Sequence, residues 1–200
     1  MTCVGIDASR AVSTAPTGTE GYSFHLIRAL LPQLSPRHTV RLYFRDLPGT
    51  SRAFSGAEIR HIPFPRLWTH FRLSWEMVRH PPDLLFVPAH VLPPVRPRYT
   101  LVTVHDLGYL TFPKAHPPAQ RRYLDLTTRW NARVATHVLA DSQATRADLV
   151  RAYAVDPEKV SVVYPGYDRT LQPVTDPQAL ARVRQRYGIP GDYVLFLGRI

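Results

Sequence analysis

The stretch DLLFVPAHVLPPVRPRYTLVTVHD, residues 83–106, decides how this chain folds. It contains two short, continuous apolar runs, 83–87 (DLLFV) and 100–104 (TLVTV). A strand with one wet face alternates apolar and polar residues. A run that is apolar almost throughout suits a strand covered on both faces, as in a parallel sheet. Each run leads into a histidine, through Pro88-Ala89-His90 and directly into His105-Asp106. The prolines at 93–97 separate the runs and act as punctuation.

The same rhythm extends in both directions. Upstream, 2–7 (TCVGID) reads as a strand. Residues 20–34 carry Phe24, Ile27, Leu30, Leu31 and Leu34 at helical spacing. Residues 39–44 (TVRLYF) and 58–62 (EIRHI) read as strands. Residues 66–79 place Trp68, Phe71, Trp75 and Val78 on one helix face, which is expected to pack on the sheet. Flanked by Arg66, Arg72 and Arg79, that stripe has a second reading, as a surface resting on an anionic membrane.

Downstream, Pro117 and Pro118 fit the start of a helix over 118–135. Residues 137–141 (HVLAD) form a strand, Ser142 caps a helix running to about Tyr153, and 159–164 (KVSVVY) form another strand. Strand and helix alternate, so the expected fold class is α/β: a doubly wound, mostly parallel sheet with helices on both faces. The 20 prolines fall mainly between these elements. The organisation expected is a domain over 1–165, a linker and connecting helix over 166–191, and over 192–200 the first, buried strand of a further domain.

Composition narrows the function classes. The net charge is +10, carried almost wholly by arginine, since Lys114 and Lys159 are the only lysines. That surplus favours anionic partners. The arginines are scattered, not clustered in an arm, and no zinc finger or RNP1-like motif appears, so nucleic acid is not an expected partner. Cys3 is the sole cysteine and excludes an internal disulfide. No apolar run reaches the ~18 residues of a spanning helix, and the first ten residues do not read as a signal peptide. A cytoplasmic address is the default expectation, with peripheral contact at the inner face of the membrane as its extension.

In open α/β sheets, ligands bind beyond the carboxyl ends of the strands. The turn Pro16-Thr17-Gly18-Thr19-Glu20-Gly21 follows the first strand and opens a helix, where backbone N–H groups can meet a phosphate; a plain glycine turn is its other reading. His90 and His105 open on the same rim if their strands are parallel. His105 is the sharper candidate, because imidazole can hydrogen-bond a sugar hydroxyl or carbonyl, and Asp106 is placed to orient or cap its loop. There is no G-x-x-x-x-G-K-[ST], no G-x-S-x-G and no H-E-x-x-H. No D-x-D pair is present to hold a metal–diphosphate complex, and no metal site is expected.

Four segments carry a family resemblance: Thr17-Gly18-Thr19-Glu20, Val102-Thr103-Val104-His105-Asp106-Leu107-Gly108, the stretch Ala140 to Leu149 (ADSQATRADL), and Val162 to Asp168 (VVYPGYD). In their order and spacing the chain resembles the amino-terminal domain of a family 4 (group 1) retaining glycosyltransferase of GT-B fold. The end, Leu195 to Arg199, resembles the strand opening that family's second domain. The resemblance implies two Rossmann-like domains facing across a cleft, the first receiving the acceptor and the second most of a nucleotide-sugar donor, UDP- or GDP-linked, with no further cofactor. It implies that Gly18, with Thr17, meets the donor diphosphate, that Arg199 neutralises the leaving group, and that His105 is catalytic beside the transferred sugar. Glu20, His90, Asp106 and Tyr109 are then expected on the acceptor side of the cleft. The implied reaction moves a hexose such as mannose or glucose, with retention, to a glycan or a polyprenyl- or other lipid-linked acceptor.

Two positions depart from the family's pattern. Thr17 stands where the first of paired glycines is usual, and Tyr164-Pro165-Gly166 stands where Pro-Asn-Gly is frequent. The family's paired glutamates would lie beyond Ile200, so residues 1–200 alone are expected to be inactive. Two other classes remain open: a GT-B relative such as a nucleotide-sugar epimerase, and a non-catalytic phosphate- or sugar-binding module. A dinucleotide oxidoreductase is a poor third, since the glycine fingerprint is incomplete.

Overall fold

Seven strands form one sheet: β1 (Thr2–Asp7), β2 (His38–Phe44), β3 (Glu58–His61), β4 (Leu84–Val87), β5 (Tyr99–Val104), β6 (His137–Ala140) and β7 (Val160–Val162). In the computed structural model their order is β3-β2-β1-β4-β5-β6-β7, and every neighbouring pair is parallel. The structure describes residues 1–12, 18–46, 51–89, 91–167 and 171–196. The chain divides into two units, Met1–Pro165, which carries the sheet, and Gly166–Ile200.

The continuous apolar runs lie where the parallel reading puts them, in the middle of the sheet, and alternate residues feed two cores. Leu85 and Val87 of β4 join Tyr43, Leu73, Val102 and Leu149 on one face. Phe86 points the other way and joins Ile6, Ile27, Leu42 and Phe44. Helix α1 (Gly18–Leu34) covers the second face through Ile27 and Leu31. Helices α2 (Ser74–Arg79), α4 (Pro118–Val134) and α5 (Gln143–Tyr153) cover the first, through Met77, Ala132 and Leu149. A short helix α3 (Gly108–Thr111), not anticipated from the sequence, follows β5. Ser142 caps α5 as expected, its Oγ accepting from Thr145 N–H at 3.0 Å.

Gly5 shows how tightly β1 is seated. A Cβ there would stand 2.8 Å from both Pro82 Cγ and Tyr43 Cε2. Those rings belong to a packed core and cannot both retreat. Gly5→Ala is therefore expected to cost about 1–3 kcal/mol, read as a lowered urea midpoint with an unchanged slope.

The stripe at 66–79 departs from expectation. Trp68 is buried, but Phe71, Trp75 and Val78 are each more than half exposed. The cause is local geometry. Residues Thr69–Leu73 form a π-helical turn that runs into α2. Leu67 before it sits at φ 53°, a left-handed conformation, and Trp68, at the head of the turn, donates its indole N–H to Ile62 O at 2.7 Å. Thr69, Leu73, Glu76 and Met77 form the inward face instead.

The second unit contains α6 (Pro177–Tyr187), with the Asp176 carboxylate capping Gln178 N–H at 2.9 Å. Residues 193–196, expected to begin a buried strand, form no regular element and are exposed, Val194 and Phe196 almost fully. Among its described residues the second unit has no strand with which they could pair.

Candidate active site

The strand order reverses direction between β1 and β4, the point at which an open α/β sheet leaves a crevice at its carboxyl rim. Two clefts open there. The first, of about 400 Å³, is lined by Ser9 and Arg10 beyond β1, Arg45 beyond β2, Glu20 on α1, and Leu67 to His70. The second, of about 280 Å³, is lined by Thr19, by His105 and Asp106 beyond β5, by Tyr109 on α3, and by α4. Val91 and Tyr123 border both.

His105 is the most constrained side chain on this rim. Its Nδ1 lies 2.5 Å from Asp141 Oδ2 and its Nε2 lies 3.0 Å from the Pro88 carbonyl. The ring of Tyr22, on α1, meets it edge-on with centroids 4.8 Å apart. The Thr145 hydroxyl donates to the His105 carbonyl at 3.0 Å. Both ring nitrogens thus face acceptors, a carboxylate and a carbonyl. The ring is held in one orientation, and a ligand reaching Nε2 exchanges places with a backbone carbonyl.

Asp141 was not singled out in the sequence, yet its placement follows from the register. In the β5–β6 pair, Val104 stands opposite Ala140, so the next residues along, His105 and Asp141, meet beyond the strand ends. The signal was a polar residue terminating each of two adjacent parallel strands. Asp141 Oδ1 is buried and has no hydrogen-bond partner among the described residues.

The other expected residues divide. Asp106 Oδ1 accepts from Gly108 N–H at 2.8 Å and so caps the turn into α3, leaving its carboxylate at the mouth of the second cleft. Tyr109 is buried, its hydroxyl 2.9 Å from that of Tyr153, which donates to Asp125 at 2.7 Å. Burial pushes the Tyr109 hydroxyl above its ordinary pKa, against the hydrogen bonds with Thr128 and Tyr153. The phenol is committed inside the protein, and the ring is what lines the cleft. Glu20 lies in the first cleft with its carboxylate 3.5 Å from Arg10. Gly18 opens α1, and a Cβ there would meet nothing within 4 Å. Thr17, His90 and Arg199 lie outside the described residues.

Arg10, Arg45 and His70 bring basic groups to the first cleft, with Glu20 as its only acidic lining residue among those described. The sequence reading did not pick them out, because they come from three separate loops and helical turns. The second shared wall is fixed from α4, whose Asn131 accepts Leu92 N–H at 2.9 Å while Trp130 donates to Leu92 O at 3.0 Å.

Comparisons with known proteins bear on the family and the fold. The chain is 29% identical, over 96% of its length, to a D-inositol 3-phosphate glycosyltransferase of Frankia alni, and 31% identical over 78% to one of Kineococcus radiotolerans. It spans less than half the length of either, 46% and 35% respectively. Among solved structures, WaaG, a glycosyltransferase involved in lipopolysaccharide biosynthesis, superposes with a TM-score of 0.59 at 16% identity, over 94% of this chain and 51% of that one. Anabaena HepE in complex with UDP-glucose superposes at 0.54 with 20% identity, over 93% of this chain and 49% of that one. These likenesses are of fold: the parallel Rossmann-like sheet of a GT-B glycosyltransferase. Residues 17–171, most of the chain, match the sequence profile of Glycosyltransferase Family 4, and the chain belongs to that family.

Proposed function

We propose that the protein carrying this chain transfers a hexose from a nucleotide-sugar donor, with retention, to an acceptor bearing an anionic group, and that residues 1–165 form the acceptor side. The observation that carries the reading is the pair of adjoining clefts on one rim, one built around a fixed histidine and the other lined by two arginines. HepE, similar in fold, is solved with UDP-glucose, which supports a nucleotide-sugar donor. The relatives' name supports a phosphorylated polyol as acceptor.

In this reading the donor's sugar lies over the second cleft, beside His105. Asp141 and the Pro88 carbonyl set the imidazole's direction before substrate arrives, so little reorganisation accompanies the reaction. Gly18, at the start of α1, faces the donor diphosphate, which the helix N-terminus favours, and Thr17, outside the described residues, is assigned to the same group. Arg10 and Arg45 hold the acceptor's anionic group, Arg through its planar fork of donors, with Glu20 orienting Arg10. Asp106 borders the acceptor's path, and His90, outside the described residues, is assigned to the same side.

The test compares inositol phosphate with inositol as acceptor for the intact protein, using UDP- and GDP-hexoses as donors. The phosphorylated acceptor is expected to be preferred, and Arg45→Ala to raise its KM about tenfold with little change in kcat, as loss of one charge-assisted contact does. Equal use of the two acceptors would falsify the anionic-acceptor reading.

A further inference from the structure

Among the described residues of the first unit, nothing covers the outer face of the helical segment 69–79. Phe71, Trp75 and Val78 are all exposed, whereas Thr69, Leu73, Glu76 and Met77 between and before them are buried, so the three aromatic and aliphatic side chains lie on the outer side of the segment. Leu67, 59% exposed, precedes them. Val95, also exposed, lies near the start of α2, its N–H donating to Ser74 Oγ at 3.4 Å. Large exposed aromatic side chains grouped in this way mark an interaction surface.

Charge says what kind. Between Pro63 and His80 there are three arginines, Arg66, Arg72 and Arg79, and a single acidic residue, Glu76. Glu76 lies on the opposite side of the helix, 4% exposed, paired with Arg60 at 2.8 Å and Arg72 at 3.2 Å. The outer face therefore presents aromatics and cations without a competing carboxylate. Arg79 lies over the Trp75 ring, its guanidinium carbon 4.8 Å from the centroid, so cation and aromatic face outward together. The chain as a whole carries +10. Among the described residues no helix is long and apolar enough to cross a membrane.

We propose that this face rests on an anionic lipid bilayer, with Phe71, Trp75 and Val78 entering the headgroup boundary and Arg66 and Arg79 meeting lipid phosphates. Aromatic anchors joined to a basic rim supply two weak signals, and two such signals are what reversible interfacial binding needs. The placement has a consequence for the site. Trp68, Thr69 and His70, the first residues of the same segment, line the arginine-bearing cleft. A bilayer under this face lies beside the cleft mouth, within reach of an anionic headgroup. This consequence rests on the reading of that cleft as an acceptor site; the docking itself does not.

Co-sedimentation of the intact protein with phosphatidylcholine vesicles, with and without phosphatidylglycerol, tests the proposal. Binding is expected only to the anionic vesicles and to weaken with added salt. The exposed double replacement Phe71→Ser with Trp75→Ser is expected to lower partitioning by about tenfold or more, and Arg66→Gln or Arg79→Gln by about fivefold each. Far-UV circular dichroism and a urea melt establish that each variant folds. Equal binding to both vesicle types, or full binding by the folded double variant, would overturn the proposal. So would a wild-type protein that ignores vesicles but dissociates from dimer to monomer on the double replacement, since the face would then belong to a second copy. Transfer to a soluble acceptor is read in parallel: loss of vesicle binding with transfer retained separates failure of the docking face from failure of the functional reading.

Discussion

His105→Ala in the intact protein is expected to lower kcat for sugar transfer by roughly 100-fold, the scale of a misplaced reacting group, with a smaller change in donor KM. Asp141→Ala is expected to lower it by about tenfold, on the same reasoning of lost positioning. The informative variant is the double one. Asp141 reaches the cleft only through His105, whose Nδ1 it holds at 2.5 Å. Removing both is expected to cost no more than removing His105 alone, a strongly non-additive pair. Asp141→Asn keeps a hydrogen-bonding oxygen and is expected to restore part of the loss. Additive losses in the double variant would show that Asp141 acts independently, and an unchanged kcat in His105→Ala would remove the histidine from the mechanism.

The second large effect is on stability. Glu76 is buried where two arginines and His80 converge, with Arg60 donating through both Nε and an Nη to one carboxylate oxygen at 3.2 and 2.8 Å. Burial pushes its pKa up, but the hydrogen bonds from Arg60 and Arg72 outweigh burial and hold the carboxyl below its ordinary value of 4.5. The arginine side chains are about a third exposed and can turn to water when the carboxylate is lost. Glu76→Ala is therefore expected to cost about 2 kcal/mol, below the range for breaking a wholly buried pair. The sign with pH follows from linkage. A carboxyl whose folded pKa is depressed contributes stability that is fully present above 4.5 and is lost as pH falls through the lower folded value. Urea melts at stepped pH are expected to show wild type weakening in that acid window and Glu76→Gln weakening less steeply. A variant with the same acid slope as wild type would place the sensitivity elsewhere.

Most of the fold was legible because its signals are local. Apolar runs at 83–87 and 100–104 suit strands covered on both faces, and prolines between elements mark their ends. What escaped depends on phase and on distance. The stripe from Trp68 to Val78 looked like one face because regular helical spacing was assumed, and a single π-helical turn preceded by a left-handed leucine breaks that phase. The strand expected over 192–200 lies partly outside the described residues, and its described part, 193–196, has no strand of its own unit to pair with. His105 was visible as a residue ending a strand. Asp141 was not, since nothing in one sequence announces that two strand ends are neighbours until the register is known. The basic cleft was invisible for the same reason, as Arg10, Arg45 and His70 are separated along the chain and gathered by three different elements.

The sheet's outer strands carry a consequence of another kind. An open parallel sheet has two unpaired edges, and such edges invite a foreign strand and with it aggregation. Here β3 is Glu58-Ile59-Arg60-His61, three polar or charged residues in four, and β7 is three residues long. Charge blunts one border and brevity the other. Growth of the sheet by strand addition is disfavoured at both, so a protein with such apolar central strands can stay dispersed while its helices and rim are free to meet partners.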